Sequence, residues 1–348
     1  MVMRMKHEKT THVDVLILNC NGKNLLERCL DSMKKTDYPD FKTFVIDNGS
    51  TDGSVELVKS RYPWVELIEI GRNVGVAAAY NQAIPRMNSE FIAILNNDVE
   101  VDKNWLKNLM SVISEDKNVA AVTCKIKFIN NKRRINSTGG SCDIYGVGWN
   151  RGNGQIDNGQ YNNFDEPFYS TGSAMIIKKS LWEKAGKFDE RYFLYGEDLD
   201  WSWRARLLGY KIKYVPTSTV YHVWQASHRI VPIIYLLERN WLCTILKNYS
   251  LKTLLLLLPK YLVLKTLKAF WLLLRGKRNE KLAIPKAFMW NLLNLRKSLQ
   301  KRKEIQSIRK ISDQEIQKKM FQGSFELSLW LGTQKHPILG RYQQVKLP

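Results

Sequence analysis

The first hundred residues repeat one pattern four times: a short apolar run ends in polar residues, and a stretch with helical spacing follows the first three of these runs. The runs are VDVLILN at 13–19, FKTFVID at 41–47, WVELIEIG at 64–71 and EFIAILNND at 90–98. Short runs rich in Val, Ile and Leu are typical of buried strands. Strands that alternate with helices predict an α/β fold built on a largely parallel, Rossmann-like sheet with flanking helices.

Open α/β sheets bind ligands outside the carboxyl ends of their strands, and here those ends are polar. The candidate ligand-binding side chains are Asn19, Asn21, Asp47, Asn48, Arg72, Asn73, Asn96, Asn97 and Asp98. Asn and Asp are also common turn formers, so each single turn has a purely structural explanation. Four strands that all end in such residues favour a binding cleft at this edge of the sheet.

A second candidate site is the stretch 196–200, GEDLD, in which three acids fall within four positions. Acids near a helix start also stabilise the helix dipole, and Asp200 with Arg204 has the spacing of a structural salt bridge. Aromatic residues such as Trp201 flank the acids, as they do in sugar-binding clefts and in cores alike. His222 ends a later strand that would return it to the same cleft.

These residue types fit sugar transfer from a nucleoside diphosphate. Asp47 can accept a hydrogen bond from the N3–H of uracil or thymine, and Asp98 offers the hard oxygen that Mg²⁺ or Mn²⁺ prefers. A divalent metal would neutralise the departing diphosphate, and direct displacement needs a carboxylate to take the acceptor proton. The competing interpretation of Asp98 is a turn or helix cap before DKNWLKNLM.

Six segments in this order resemble the family 2 glycosyltransferases of GT-A fold, and among them the rhamnosyltransferase-like group. The segments are VLILNCNG, VIDNGSTDGS, GRNVGVAAAYNQAI, AILNNDVEVD, STGSAMIIKKS and YGEDLDWSWRARLLGY, and the resemblance covers about residues 12–228. It implies a nucleotide-sugar-dependent enzyme that inverts the anomeric carbon in one displacement.

The resemblance also implies roles for single residues. Asp198 would be the catalytic base with Glu197 beside it, and Asp98 with His222 would hold the metal. The acceptor or sugar-binding side would be formed by Gly172, Ser173 and Trp201. The donor nucleotide would meet Asn19, Asn21, Asp47, Asn48, Asn73 and Asn97.

One position departs from the family pattern. Asn96 stands where the Asp-x-Asp metal motif has its first acid. The metal would therefore have one anionic protein ligand fewer, and we expect it to depend on the donor diphosphate for tight binding.

The last third of the chain carries most of the net charge of +21. Residues 229–348 hold 24 Lys and Arg against 6 Asp and Glu, whereas residues 1–228 hold 30 and 27. The apolar segments LLLLLP and FWLLL are interrupted by Pro259 and by lysines, so no apolar run approaches the ~20 residues of a membrane-spanning helix. Amphipathic helices on an anionic membrane surface fit this pattern. A basic helical bundle packed on the catalytic domain is the alternative.

The sequence thus predicts a flexible N-terminus at 1–11, a GT-A catalytic domain at 12–228 and a basic helical region at 229–348. The segment 130–165, rich in Asn and Gly, is expected to be a long loop or a set of weak hairpins. Five scattered cysteines and a polar N-terminal stretch predict a cytoplasmic protein, peripheral at the inner face of the cell membrane.

The expected partners are a nucleotide-sugar donor, dTDP-rhamnose or a UDP-hexose, and a saccharide or lipid-linked saccharide acceptor. Two alternatives from other classes stay open. The first is a catalytically inactive sugar-binding or scaffold protein, which the acids at Asp47, Asp98 and Asp198 argue against. The second is nucleic-acid binding through the basic tail, which no nucleic-acid-binding motif accompanies.

Overall fold

The computed structural model describes residues 11–223, 233–275 and 280–332. The expected flexible N-terminus lies outside the described residues, apart from residue 11. Each of the four predicted strands forms where its apolar run stands. The opening elements are β1 Val13–Asn19, α1 Lys23–Met33, β2 Phe41–Asp47, α2 Ser54–Arg61, β3 Val65–Glu69, α3 Val76–Ala83 and β4 Phe91–Asn96.

The middle of the chain adds further strands and the helix that carries the acids of the stretch 196–200. Its elements are β5 Val99–Val101, α4 Trp105–Ile113, β6 Val119–Phe128, β7 Asn131–Ser137, β8 Gly140–Cys142, β9 Gly148–Asn150, β10 Ala174–Lys178, α5 Lys179–Lys184, α6 Glu197–Leu207 and β11 Lys211–His222. The sequence predicts either a long loop or weak hairpins for residues 130–165. The structure shows hairpins there, since β7 pairs with β6 and β8 pairs with β9.

Within the described residues, nine strands form one mixed sheet in the order β3-β2-β1-β4-β10-β6-β11-β5, with β7 beside β6. β1 to β4 pair in parallel and β6 and β11 run the same way, whereas β10, β5 and β7 run in the opposite direction. The sheet is therefore mostly parallel, as predicted. Because β10 is antiparallel to β4, its first residues lie at the edge where β1, β2 and β4 end.

Helices cover both faces of the sheet, and a core cluster fills each interface. One cluster joins the strands to α1, α2 and α4 through residues such as Leu30, Leu57 and Trp105. The other joins them to α3, α5 and α6 through residues such as Trp182 and Trp201. Burial on both faces explains why the parallel strands read as continuous apolar runs rather than alternating ones.

The described part of the basic region contains six helices: α7 Ile233–Asn248, α8 Leu251–Arg275, α9 Ala283–Leu293, α10 Leu295–Ile308, α11 Asp313–Gln317 and α12 Phe325–Trp330. A third core cluster joins them to the catalytic domain. It combines Leu199 and Trp203 of α6 with Trp241 of α7, Tyr261 of α8 and Phe325 of α12. The inner side of the basic region thus packs on the catalytic domain.

Some of the basic charge of this region is internal. Lys247 is buried with its Nζ 2.7 Å from Asp189 Oδ2 and 3.1 Å from Asp200 Oδ1. Lys265 is buried with its Nζ 2.8 Å from Glu238 Oε2. Buried charges persist in proteins when they are paired in this way.

The outer side of α8 is apolar. Leu254, Leu257, Tyr261 and Leu272 face inward and are buried. The opposite side, called here the outer face of α8, consists of the exposed residues Leu251, Leu255, Leu256, Leu262, Val263, Leu267, Phe270, Leu273 and Leu274. The helix continues through Pro259. No helix in the described part of the chain is both long enough and apolar enough to cross a membrane.

Candidate active site

Asp47 closes β2 and keeps one buried carboxylate oxygen free. Its Oδ2 accepts the N–H of Ser50 at 3.1 Å, whereas Oδ1 is buried without a hydrogen-bond partner. A cavity of about 290 Å³ opens beside it and is lined by the turn at Gly49, Ser50 and Thr51, together with Glu69 and others. The free oxygen can accept a hydrogen bond from a ligand that enters this cavity.

The asparagines at the strand ends hold the turns around that cavity. Asn48 Nδ2 donates to Asn73 Oδ1 at 3.1 Å, and Asn48 Oδ1 accepts the N–H of Val74 at 3.0 Å. Asn21, in a left-handed conformation with φ 52°, accepts the N–H of Thr51 at 2.7 Å. These side chains are brought together as predicted, and they shape the cavity through hydrogen bonds to its turns.

Asn19 and Asn97 form the link between the first and fourth strand ends. Asn97 Nδ2 donates to Asn19 Oδ1 at 2.6 Å, and Asn19 Nδ2 donates to Ser50 Oγ at 3.1 Å. A Cβ at Gly22 would lie 2.1 Å from Asn97 Nδ2. Glycine is therefore required at position 22 for this link to form.

Asp98 and His222 meet at the same edge, as the resemblance implied. The Nε2 of His222 lies 3.1 Å from the Oδ1 of Asp98, and both side chains are about nine-tenths buried. The Nδ1 of His222 lies 3.1 Å from Asn136 Oδ1. When Nδ1 carries the proton for this hydrogen bond, Nε2 presents its lone pair toward Asp98. A lone pair beside a carboxylate oxygen is repulsive unless a cation or a proton lies between them.

This pair therefore fits a divalent cation, with a donor set of one oxygen and one nitrogen. The described residues contain no group of three or more His, Cys, Asp and Glu side chains that could hold a metal. Among the His, Cys, Asp and Glu side chains that the structure describes, a metal at this place would therefore have Asp98 and His222 as ligands. Asn136 orients the histidine, and sequence reasoning missed it because nothing distinguished it within an Asn-rich segment.

Glu197, which is buried, and Asp198, which is partly exposed, form a carboxylate pair at the start of α6. Asp198 Oδ2 accepts the N–H of Gly172 at 2.9 Å, and Oδ1 accepts the N–H of Leu199 at 2.7 Å. Glu197 Oε2 is buried without a partner. Burial raises the pKa of both carboxyls, and the neighbouring Asp198 charge helps to raise the pKa of Glu197 to about 8.

Gly172 and Ser173 connect this pair to the polar strand ends. Gly172 donates to Asp198, and the carbonyl of Ser173 accepts the N–H of Asn96 at 3.1 Å. The acids of α6 thus lie beside the end of β4. Asp98 follows that strand end by two residues. The predicted catalytic, nucleotide and metal residues are brought to one edge of the sheet.

Two residues of the same helix have structural roles. The expected Asp200–Arg204 salt bridge is confirmed at 3.0 Å between Oδ2 and the guanidinium. Trp201 is fully buried in the core between α5 and α6, where its ring packs against Phe188. It offers no face to a sugar, so it does not belong to the acceptor side, and its aromatic character reflects core packing.

Residues 14–184 match the family model of glycosyl transferase family 2. The chain carries a family 2 glycosyltransferase domain. A relative from Mycobacterium tuberculosis, an N-acetylglucosaminyl-diphospho-decaprenol L-rhamnosyltransferase, is 28% identical over 218 residues, which cover 57% of this chain and 71% of that protein. The predictions of a glycosyltransferase and of its family are therefore confirmed.

Solved structures show the fold of this glycosyltransferase. GalNAc-T7 with UDP, GalNAc and Mn²⁺ aligns with a TM-score of 0.57 at 18% identity and covers 71% of this chain, but the chain spans only 49% of it. The mannosyltransferase PcManGT from Pyrobaculum calidifontis, in complex with GDP-Man and Mn²⁺, aligns with a TM-score of 0.51 at 17% identity over 92% of this chain and 79% of its own. The predicted GT-A fold is confirmed.

Proposed function

We propose that this glycosyltransferase moves a sugar from a nucleoside-diphosphate donor to a saccharide or lipid-linked saccharide acceptor, with inversion at the anomeric carbon. The observation that carries the proposal is that Asn96, two residues before Asp98, is linked to Asp198 through Ser173 and Gly172. The hydrogen bonds from Asn96 to Ser173 and from Gly172 to Asp198 tie the diphosphate end of the site to its carboxylate pair.

The donor is dTDP-rhamnose or a UDP-hexose in this proposal. Asp47 lines the cavity at the end of β2, and its Oδ1, which has no hydrogen-bond partner, is proposed to accept the N3–H that thymine and uracil share. The rhamnosyltransferase relative supports the first donor. The other residues assigned to the nucleotide are asparagines whose proposed role is mainly to shape the cavity. They are Asn19, Asn21, Asn48, Asn73 and Asn97.

The proposed cofactor is Mg²⁺ or Mn²⁺, held by Asp98 and His222. The metal would neutralise the charge that develops on the departing diphosphate. Asn136 fixes the ring of His222, as outer partners of metal-bound histidines commonly do. Because Asn96 replaces an acid, Asp98 is the single anionic protein ligand, and the donor diphosphate completes the set.

Asp198 is the proposed general base. Two backbone N–H groups stabilise its ionised form, whereas Glu197 has a buried oxygen without a partner. Of the two acids, Glu197 therefore takes up a proton first as the pH falls. As the charged member of the pair in this proposal, Asp198 can accept the proton of the acceptor hydroxyl.

The acceptor is proposed to lie at an anionic membrane surface, with the protein peripheral at the inner face of the cell membrane. The outer face of α8 supports this placement, because its nine exposed apolar residues are accompanied by the exposed basic residues Lys252, Lys260 and Arg275. An apolar side with flanking cations is the pattern of helices that lie in a bilayer interface. The decaprenol in the relative's name is consistent with a lipid-linked acceptor.

The test is a transfer assay with dTDP-rhamnose and UDP-GlcNAc, each with Mn²⁺ and Mg²⁺, on membranes that supply lipid-linked acceptors. We expect Asp198→Asn to lower turnover about 10²–10⁴-fold, the usual contribution of a positioned base, while nucleotide binding is retained. Glu183→Gln, an exposed acid on α5, is the matched control and should leave turnover unchanged. Near-full activity of Asp198→Asn would exclude it as the base.

A further inference from the structure

The loop at 192–196, called here the catalytic loop, leads directly into Glu197 and Asp198 and has an unusual backbone. Phe193 and Tyr195 have φ values of 63° and 69°, in a region that residues with a Cβ rarely occupy. Such conformations persist only where the surroundings impose them. The contacts that impose this one therefore control where the carboxylate pair lies.

A single buried side chain from α7 binds most of this loop. Asn240 Nδ2 lies 3.2 Å from the carbonyl oxygen of Tyr192, 3.0 Å from that of Leu194 and 2.6 Å from that of Tyr195. Its Oδ1 accepts the Nε–H of Arg239 at 2.9 Å, and Arg239 also donates to the carbonyl of Tyr192. Asn240 is fully buried, so its amide hydrogens are committed to the loop.

The opposite side of the catalytic loop contacts the donor side of the cleft. The N–H of Val76, the first residue of α3, donates to the carbonyl of Phe193 at 2.6 Å. A Cβ at Gly75 would lie 2.6 Å from the Phe193 carbonyl oxygen. The loop is therefore held between the segment that follows Asn73 and helix α7.

We propose that Asn240 is a positioning residue for the transfer reaction. By binding three loop carbonyls, it fixes the strained catalytic loop and so sets the position of Glu197 and Asp198 relative to the donor side. The role of the carboxylate pair in this inference rests on the proposed function. The holding of the loop does not depend on it.

The test compares Asn240→Ala with Asn291→Ala. Asn291 is a matched control because it is also a buried amide of the basic region, and it donates at 3.0 Å and 2.9 Å to the α-helical carbonyls of Arg239 and Ala287 rather than to carbonyls of the loop. Hydrogen–deuterium exchange of peptides covering 74–80 and 190–202 reports on the loop directly. Transfer turnover and UDP affinity by calorimetry report on the site.

The amide of Val76 donates to the carbonyl of Phe193, and the amide of Asp200 donates to that of Gly196 at 2.9 Å, so each peptide contains an amide bonded to the loop. We expect Asn240→Ala to speed exchange in both peptides by roughly tenfold or more. Asn291→Ala should leave exchange in both peptides as in the wild type. Turnover of Asn240→Ala should fall about 10²-fold, the usual effect of a misplaced catalytic group, while UDP affinity stays within about threefold. If Asn240 only stabilised the fold, its replacement would lower the stability of the protein. It would not lower turnover while UDP affinity is retained.

Equal exchange in the two alanine variants would overturn the inference, whatever the activity. If the wild type transfers no sugar, the proposed function fails, and the exchange comparison still decides whether Asn240 holds the loop. Asn240→Ser, whose hydroxyl is too short to span three carbonyls, replaces the alanine variant in the same comparison if that variant does not fold. Wild-type exchange in the serine variant would likewise overturn the inference.

Discussion

Two aspartates mark the cleft at the scale of single residues. Each has a buried carboxylate oxygen that accepts no hydrogen bond from the protein, in the case of Asp98 when the ring proton of the adjacent His222 is on Nδ1. These atoms are Oδ1 of Asp47 and Oδ1 of Asp98. A buried acceptor without a partner costs about 1–3 kcal/mol, which is a large fraction of the stability of a typical domain. A ligand that supplies an N–H or a cation recovers that free energy, so binding and stability are linked at these two positions.

Replacement of Asp47 by asparagine tests the first of these atoms. In Asp47→Asn the amide oxygen is expected to keep the bond to Ser50, which turns the NH₂ toward the base position. Two donors would then face each other, so UDP affinity should fall roughly tenfold or more. Isothermal calorimetry with UDP measures this. Unchanged affinity would show that Asp47 does not contact the base.

The raised pKa of Glu197 makes a prediction about stability. A carboxyl with a pKa of about 8 in the folded chain, against 4.5 as a model group, binds more protons when folded than when unfolded. Its contribution to stability is therefore fully present below pH 4.5 and is lost as pH rises toward 8, by roughly 1 kcal/mol per pH unit. Glu197→Gln should abolish this loss.

Thermal unfolding at pH 5.5 and pH 8.0 measures the difference. The melting temperature of the wild type should fall more between the two pH values than that of Glu197→Gln. Glu183→Gln, with its exposed side chain on α5, should behave as the wild type does. A parallel pH dependence of wild type and Glu197→Gln would contradict the assignment of the raised pKa.

At the scale of elements, α8 has two different sides. Inward-facing leucines and Tyr261 join the third core, and Lys265 forms ion pairs with Glu238 and Glu326. The outer face exposes residues such as Leu256 and Phe270, each at least 60% accessible. Packing on the catalytic domain and binding to a membrane are therefore compatible for this helix, although they are alternatives when the sequence alone is considered.

Vesicle flotation tests the outer face of α8. Wild-type protein should float with vesicles that contain phosphatidylglycerol, and less so at high salt or with neutral lipid. The double variant Leu267→Gln and Phe270→Gln should lose most of this binding. Phe164→Gln removes an aromatic residue that is 62% exposed on the catalytic domain and should float as the wild type does. Equal flotation of all three would exclude α8 as the membrane contact.

The elements differ in how far the sequence predicts them. β1 and β2 form over the predicted residues because an apolar run buried on both faces is read directly from the chain. The position of Trp201 was not predictable in this way, since an aromatic residue suits a core and a sugar site equally. Asn136 and Asn240 were also missed, because their partners are remote in sequence and polar residues carry no periodic signal.

At the scale of the whole molecule, the catalytic and basic regions share a core. Trp203 and Tyr249 are in contact with an edge-to-face geometry at 4.9 Å between ring centroids, although they belong to different regions. Asp200, two residues after the proposed base, has the buried Lys247 as a partner. The composition changes near residue 228, but the packing is continuous across that point.

A truncated chain that ends at residue 223 should therefore fail to fold cooperatively. It would expose Trp203 and remove Lys247 from a buried network of ion pairs, in which Asp189 keeps Arg191 and Asp200 keeps Arg204 as a partner. Loss of one charged partner from such a buried network is destabilising. We expect the full chain to unfold in one transition by near-ultraviolet circular dichroism. The truncated chain should bind a hydrophobic dye and lack that transition. A cooperative transition in the truncated chain would show that the catalytic region is an independent domain.

The length of α8 has a geometric consequence for any reaction at a membrane. Its 25 residues extend about 38 Å at 1.5 Å per residue. A body attached to a bilayer along a line of that length has its tilt fixed in one direction, whereas a body attached at one point can lean in all directions. The cleft would then be held at a constant height above the lipid, and that height would decide which sugar of a lipid-linked chain can reach Asp198.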